Sequence, residues 1–226
     1  RQLVEIGRAL SGLDPGLDVV VLPPWDCLPY DRASPSRDVM GRRLSALRRL
    51  AGSKGRQVLV IAPESLVQKL PPREAINTVF KLQPGLALDR DALFAFARRT
   101  GYVVDDRIDE PGEIALFGEV VDVFPADAPA PVRIAVDEAG LVSELKIYDP
   151  ISQRTEQTID HLVLGPASEL IWPDEADEER PSGAEHRMAQ VYGRLTDVFE
   201  LLPAARVSQD PLFGRRLDES LAQVAD

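Results

Sequence analysis

DVVVLPPWDCLPYDRASPSRDVMGRRLSALRRLAGSKGRQVLVIA, residues 18–62, reads as strand, helix, strand. DVVVLPPW (18–25) is a short, continuously apolar run closed by prolines, and QVLVIA (57–62) is a second such run. Between them Ser34 and Pro35 supply an N-cap and first-turn pair for a helix over 36–50, on which Val39, Met40, Leu44, Leu47 and Leu50 form one stripe. A Gly-Ser-Lys-Gly turn at 52–55 then leads into the second strand. Two buried strands joined by an amphipathic helix predict a parallel α/β layer, because parallel pairing requires a crossover and the crossover helix covers a face of the sheet.

On the upstream side, RQLVEIGRAL (1–10) places Leu3, Ile6 and Leu10 at helical spacing. Arg1 opens inside that pattern without a start methionine, so the chain is expected to be a piece of a longer polypeptide. Downstream, Pro63 and Glu64 lead into a short helix at 66–70, and the pattern changes over 78–88. A helix predicted at 89–99 is followed by strand-like segments at 114–124, 131–136 and 142–148, the last two joined by a turn at 137–140. One helix with antiparallel strands predicts a small α+β unit. Beyond the acidic DEADEER (174–180), Met188, Val191, Leu195, Val198 and Leu202 predict a long helix over 184–202, and the last two dozen residues are polar and weakly patterned. The expected division is 1–80 as the first part of an α/β domain, 81–160 as an inserted α+β domain, and 161–226 as the return to the α/β domain followed by the acidic linker and the C-terminal helix.

Composition narrows the function classes. With 226 residues, 44% of them hydrophobic, the chain can bury a sizeable core. Cys27 is the single cysteine, and only His161 and His186 accompany it, which excludes an internal disulfide framework and leaves too few nitrogen and sulfur ligands for a structural zinc site. No run of about 18 apolar residues and no secretory signal pattern is present, so a cytoplasmic location without membrane attachment is expected. The net charge of -11 argues against a dedicated nucleic-acid binder, so DNA contact is expected to be weak at most. The charge is uneven: residues 1–80 carry 12 Lys and Arg against 8 Asp and Glu, and the remainder 14 against 29.

No reaction is visible. Asp174, Glu175, Ala176 and Asp177 spell the DEAD string of ATP-driven helicases, but Pro173 precedes it instead of a buried apolar strand, and no GxxxxGK[ST] phosphate loop occurs. A solvated acidic linker is the expected reading. Asp105, Asp106, Asp109, Glu110 and Glu113 match neither a calcium loop nor a helical face, and no nucleophile motif lies close to them. No catalytic, cofactor-binding or metal-binding residue is therefore expected. Arg42, Arg43, Arg48 and Arg49 are candidate phosphate contacts, with ordinary helix solubility as the competing account.

Three blocks carry a family resemblance. WDCLPYDRASPSRDVMGRRLSAL (25–47) is similar to the coupling-factor pattern of an aromatic-acid pair, LPYD, SP and a following RL helix. EPGE (110–113) followed by GEVVDVFP (118–125) and PVRIAV (131–136) keeps the family's order, and IYDPISQRT (147–155) resembles its SQRT strand end. Over residues 1–170 the chain thus resembles the N-terminal UvrB-like module of the bacterial transcription-repair coupling factors (Mfd). The resemblance implies a degenerate RecA/helicase-type parallel α/β domain with an inserted α+β domain of the kind through which UvrB and Mfd recruit UvrA. It implies a non-catalytic interaction module, with ATP and magnesium confined to motor domains elsewhere in the parent. Arg133, Phe117 and Asp137 fall at positions of the family's UvrA-contacting surface. Arg133 keeps the family's arginine, whereas Phe117 stands where an arginine is usual and offers no five-donor fork to a carboxylate. The alternative is a structural or autoinhibitory domain that packs on its own motor domains and no longer binds UvrA.

Overall fold

The computed structural model describes residues 2–28, 31–53, 55–173 and 180–225. The first segment runs α1 (Gln2–Leu13), β1 (Asp18–Leu22), α2 (Arg37–Gly52), β2 (Gln57–Ile61), α3 (Pro63–Val67) and α4 (Arg73–Ile76). Strands β1 and β2 pair in parallel from Asp18 opposite Gln57 to Leu22 opposite Ile61. Side chains alternate across β1: Val20 and Leu22 join Leu44, Leu47 and Leu50 of α2 in one apolar core, while Val19 and Val21 face α1. There Gly7 lets the helix approach closely, since a Cβ on it would lie 2.8 Å from Val21 Cγ2.

Helix α2 starts two residues later than the Ser34-Pro35 pair predicts. Ser36 is its N-cap, its Oγ accepting from Val39 N at 3.3 Å. Ser34 is engaged elsewhere, donating to Glu185 Oε2 at 2.6 Å and accepting from Gly183 N at 2.9 Å. Helix propensity and capping read locally cannot separate two serines two residues apart when one of them serves a contact 151 residues away.

The chain then passes through β3 (Phe80–Leu82), α5 (Arg90–Arg99), β4 (Val103–Val104), β5 (Glu113–Phe117), β6 (Val120–Phe124), β7 (Val132–Val136), β8 (Val142–Tyr148), β9 (Thr155–Ile159) and β10 (Leu162–Leu164). Strands β4 to β9 form one six-stranded sheet in sequential order, antiparallel except for the β4–β5 pair. Asp89 caps α5 by accepting from Ala92 N at 2.8 Å. Leu93, Phe96 and Ala97 of α5 cover the sheet's inner face, formed by Ile114, Val121, Val123, Val132, Ile134 and Leu145. The period-2 alternation therefore sends Ala115, Phe117, Asp122, Arg133 and Tyr148 to the other face. The single strand predicted at 114–124 is folded into a hairpin at Gly118, whose φ of 58° suits a residue without Cβ. Strand β9 closes the large sheet, and β10 pairs antiparallel with β3.

The continuous helix predicted at 184–202 is broken into a 3₁₀ turn (Ala184–Arg187), α6 (Met188–Tyr192) and α7 (Val198–Leu201). Gly193, at φ 69°, ends α6, Thr196 exchanges two 2.9 Å backbone hydrogen bonds with Leu70, and Asp197 caps α7. The apolar spacing looked helical because Met188 and Val198 are both buried, but they enter different cores. The weakly patterned tail contains α8 (Phe213–Ala225), which packs near α3 with Ser220 at its buried side. Phe213, Leu217 and Leu221 recur at four-residue spacing along it, a helical signal within an otherwise polar stretch.

Candidate partner-binding face

The outer face of the six-stranded sheet is built around a cross-strand pair. Asp122 on β6 lies directly opposite Arg133 on β7. Arg133 Nε donates to Asp122 Oδ1 at 2.8 Å and Nη2 to Oδ2 at 2.7 Å, a bidentate fork. Tyr148 Oη, from β8, also donates to Asp122 Oδ2 at 3.0 Å, and the guanidinium carbon lies 4.7 Å from the Tyr148 ring centroid. With Asp122 only 2% exposed, three charge-assisted hydrogen bonds replace the water that its carboxylate has lost. The hydrogen bond to Asp122 raises the Arg133 pKa, and burial, then the Asp122 charge, pushes the Tyr148 phenol up. Arg133 is therefore fixed in place as a permanent cation.

The turn 149–154 closes one side of a groove of about 410 Å³ over this pair, where Gln153 Oε1 accepts from Arg133 Nη2 at 3.1 Å. The β5–β6 hairpin closes another side with Phe117. Asp137 lies outside the groove, at the end of β7, where its Oδ1 accepts from Ala139 N at 3.0 Å and Leu141 N at 2.9 Å. Its carboxylate nucleates the β7–β8 turn, as Asp commonly does. Of the three residues singled out from the sequence, the structure brings Arg133 and Phe117 together and leaves Asp137 apart. Tyr148 and Gln153 were missed as members of the face, although both lie within the IYDPISQRT block.

The four arginines of α2 divide by face. Arg43 is 0% exposed, donates from Nη1 to Pro23 O at 2.6 Å and pairs through Nε with Glu169, which is also 0% exposed. It has no surface with which to meet a phosphate. Arg48 is mostly buried against Gly165 and lies 3.7 Å from Asp127, with burial lowering its pKa and Asp127 opposing that. Arg42 and Arg49 are exposed and pair with Asp38 and Asp18. Two of the four candidate phosphate contacts thus act in packing, and the exposed pair are neutralised at the surface, where such pairs contribute roughly 0–1 kcal/mol.

Glu113 is buried under Arg37 and accepts from the backbone N–H groups of Asp109 and Glu110, both at 2.8 Å, so it organises the loop before β5. Among the described residues, no three His, Cys, Asp or Glu side chains are grouped to hold a metal ion, and no helix is long and apolar enough to cross a membrane. The DEAD string lies outside the described residues. A larger cleft, about 1390 Å³, separates the start of α2 from α5, but its rim ends at Pro173 and Arg180, on either side of that undescribed segment. The outer sheet face, with described residues on every side, is the better-defined candidate.

Cys27, whose Sγ lies 3.9 Å from His186 Nε2, gives a direct check on the packing around that contact. Burial first, then Asp26, Asp31 and Glu185, push its thiol up to about 11. Iodoacetamide at pH 8 is expected to modify native Cys27 about a hundredfold more slowly than the same thiol in denaturant, because alkylation follows the thiolate fraction. Equal rates would show that the residue is not held against those acids.

Residues 80–170 match the UvrB interaction domain family. The chain is 32% identical to the transcription-repair-coupling factor of Haemophilus influenzae over 181 residues, which is 79% of this chain and 15% of the relative. It is 34% identical to that of Escherichia coli over 155 residues, 67% of this chain and 13% of the relative. To that of Mycobacterium tuberculosis it is 33% identical over 168 residues, 71% and 13%. The chain thus matches less than one-sixth of the length of these relatives. The matched segment runs from β3 through β10 and includes the whole six-stranded sheet with its groove, so residues 80–170 carry the likeness to the UvrB interaction domain, and the chain is similar, over most of its length, to part of the transcription-repair-coupling factors.

Proposed function

We propose that this chain is a non-catalytic docking module of a transcription-coupled repair translocase, which recruits UvrA through the outer face of its six-stranded sheet. The observation that carries the proposal is the exposed groove around Arg133, held by Asp122 and Tyr148 inside the segment that matches the UvrB interaction domain. A cation with a fixed geometry loses little freedom on binding, which favours recognition. The α/β part is proposed to be a degenerate RecA/helicase-type layer. Supporting this, the parallel β1–β2 pair flanks a crossover helix, and the chain leaves and re-enters through β3 and β10, which pair with each other like the stem of an insertion. ATP hydrolysis is assigned to motor domains of the parent protein.

Calorimetric titration of the chain with the UvrA of the same organism is expected to give saturable heat. Arg133→Gln is expected to weaken the association at least about tenfold, as loss of a hydrogen-bonded interfacial charge does. Thermal unfolding of the variant serves as the folding control, because Asp122 loses its fork. No heat with the unmodified chain would end the proposal.

A second reading is favoured by Phe117, which is 46% exposed at the hairpin tip. In this reading the same face packs against the parent's own motor and restrains it. Deleting the module would then raise the parent's ATPase rate, and an unchanged rate would count against restraint.

A further inference from the structure

Ile151 is 90% exposed, yet the turn that carries it is fixed from several directions. Asp149 Oδ1 accepts from Ser152 N at 2.6 Å, and the Asp149 carbonyl accepts from Gln153 N at 2.8 Å. Gln153 is the one non-glycine residue with positive φ among the described residues, at 58°. Its side chain keeps it there, Nε2 donating to Pro150 O at 2.9 Å while Oε1 accepts from Arg133. A non-glycine residue stays in the left-handed region only where its surroundings over-determine it, and such places concentrate at binding surfaces. The outcome here is an apolar side chain presented to water by a rigid support.

Phe117 is presented in a similar way. Its hairpin is clamped by Arg90, which donates to the carbonyls of Gly118 and Glu119, each at 3.3 Å, and pairs with the Glu119 carboxylate at 2.7 Å. Phe117 and Ile151 both line the groove that contains Arg133. The guanidinium between them is already committed: Asp122 takes Nε and Nη2, and Gln153 shares Nη2. Among the described residues only Nη1 is left without a hydrogen-bond partner, so a bidentate grip on a partner carboxylate is not available.

Resting on the docking reading above, we propose that Ile151 and Phe117 are the anchors of the UvrA contact, and that the partner meets them with an apolar side chain beside a single acceptor oxygen directed at Arg133 Nη1. A few side chains seated in desolvated pockets carry most of the binding energy at an interface, and apolar anchors on either side of Arg133 would exclude water from its one open donor group. Apolar burial is not screened by salt, whereas a contact resting on exposed charge pairs weakens as salt rises.

The test is titration of UvrA with the full chain and with Ile151→Ser, Ile151→Leu and Phe117→Ser, at about 50 and about 300 mM salt. Expected are at least about tenfold weaker binding for the two serine variants, near-parental binding for Ile151→Leu, and less than about threefold change with salt. Ile151 is too exposed for its replacement to disturb folding, which thermal unfolding checks. Binding by the parent chain that is unaffected by Ile151→Ser, or that falls more than about tenfold with salt, overturns the apolar-anchor proposal while leaving docking intact. Absence of binding by the parent chain overturns both.

Discussion

Glu169→Ala is expected to destabilise the chain by about 3–5 kcal/mol, the largest effect of any single substitution considered, because it strands a buried guanidinium. Arg43 and Glu169 are both fully buried, and the pair joins three parts of the molecule. Arg43 belongs to α2 and reaches Pro23 beyond β1, while Glu169 Oε1 also accepts from Trp25 Nε1 at 3.0 Å, and the Glu169 carbonyl accepts from Tyr192 Oη at 3.0 Å. Satisfaction is incomplete: among the described residues, Arg43 Nη2 and Glu169 Oε2 are buried without hydrogen-bond partners. An imperfectly paired buried ion pair is a weak source of stability, since desolvation of both ions offsets most of their attraction. Removing one member is a different matter, because the remaining charge keeps the desolvation cost and loses the compensation. The double variant Arg43→Met with Glu169→Leu should therefore be clearly more stable than Glu169→Ala, though Pro23 O and Trp25 Nε1 each lose a partner at about 1–3 kcal/mol apiece. Guanidinium denaturation of the three proteins decides it. A double variant no more stable than the single one would show that the pair contributes net attraction. With domain stability commonly about 5–15 kcal/mol, Glu169→Ala should also lower the yield of folded protein at physiological temperature.

Arg43 also shows what was legible in the sequence. It follows Met40 by three residues and precedes Leu47 by four, which places it on the apolar stripe of α2 by spacing alone, whereas Arg42 and Arg49 fall on the opposite side. Residue type argued for a surface cation and position argued for burial, and position prevailed. The sheet was legible where alternation and turn chemistry agree, as in β7, the Asp137 turn and β8. It was not legible at Gly118, because tightly spaced apolar residues conceal a two-residue turn. At the candidate face, Arg133 could be named from its motif. The left-handed Gln153 could not, since its side chain is held by Arg133, twenty residues away, as well as by Pro150 within the turn, and the exposure of Ile151 has no signal in residue type.

Gly41→Ala is the second large effect expected, and its sign opposes helix propensity. In the interior of an exposed helix the change would gain about 1 kcal/mol. At Gly41 a Cβ would lie 2.4 Å from Ala126 Cβ, 2.6 Å from the Ala126 carbonyl carbon and 2.8 Å from its oxygen. Two of these three atoms are backbone, so no rotamer change relieves the overlap, and α2 must part from the loop after β6. That separation would strain neighbouring contacts on the same helical face: Arg37 with Glu113 at 3.7 Å and Arg48 with Asp127 at 3.7 Å. Overpacking of this kind costs about 1–3 kcal/mol, enough to outweigh the propensity gain. Gly12→Ala is the matched control, since it too lies in a helix and its added Cβ meets nothing within 4 Å. Denaturation should show Gly12→Ala neutral or slightly stabilised and Gly41→Ala destabilised. If Gly41→Ala proved at least as stable as the parent, the close seating of α2 on the β-sheet domain would be wrong. The Arg133 groove would then sit on a unit free to move against the helix rather than one fixed to it.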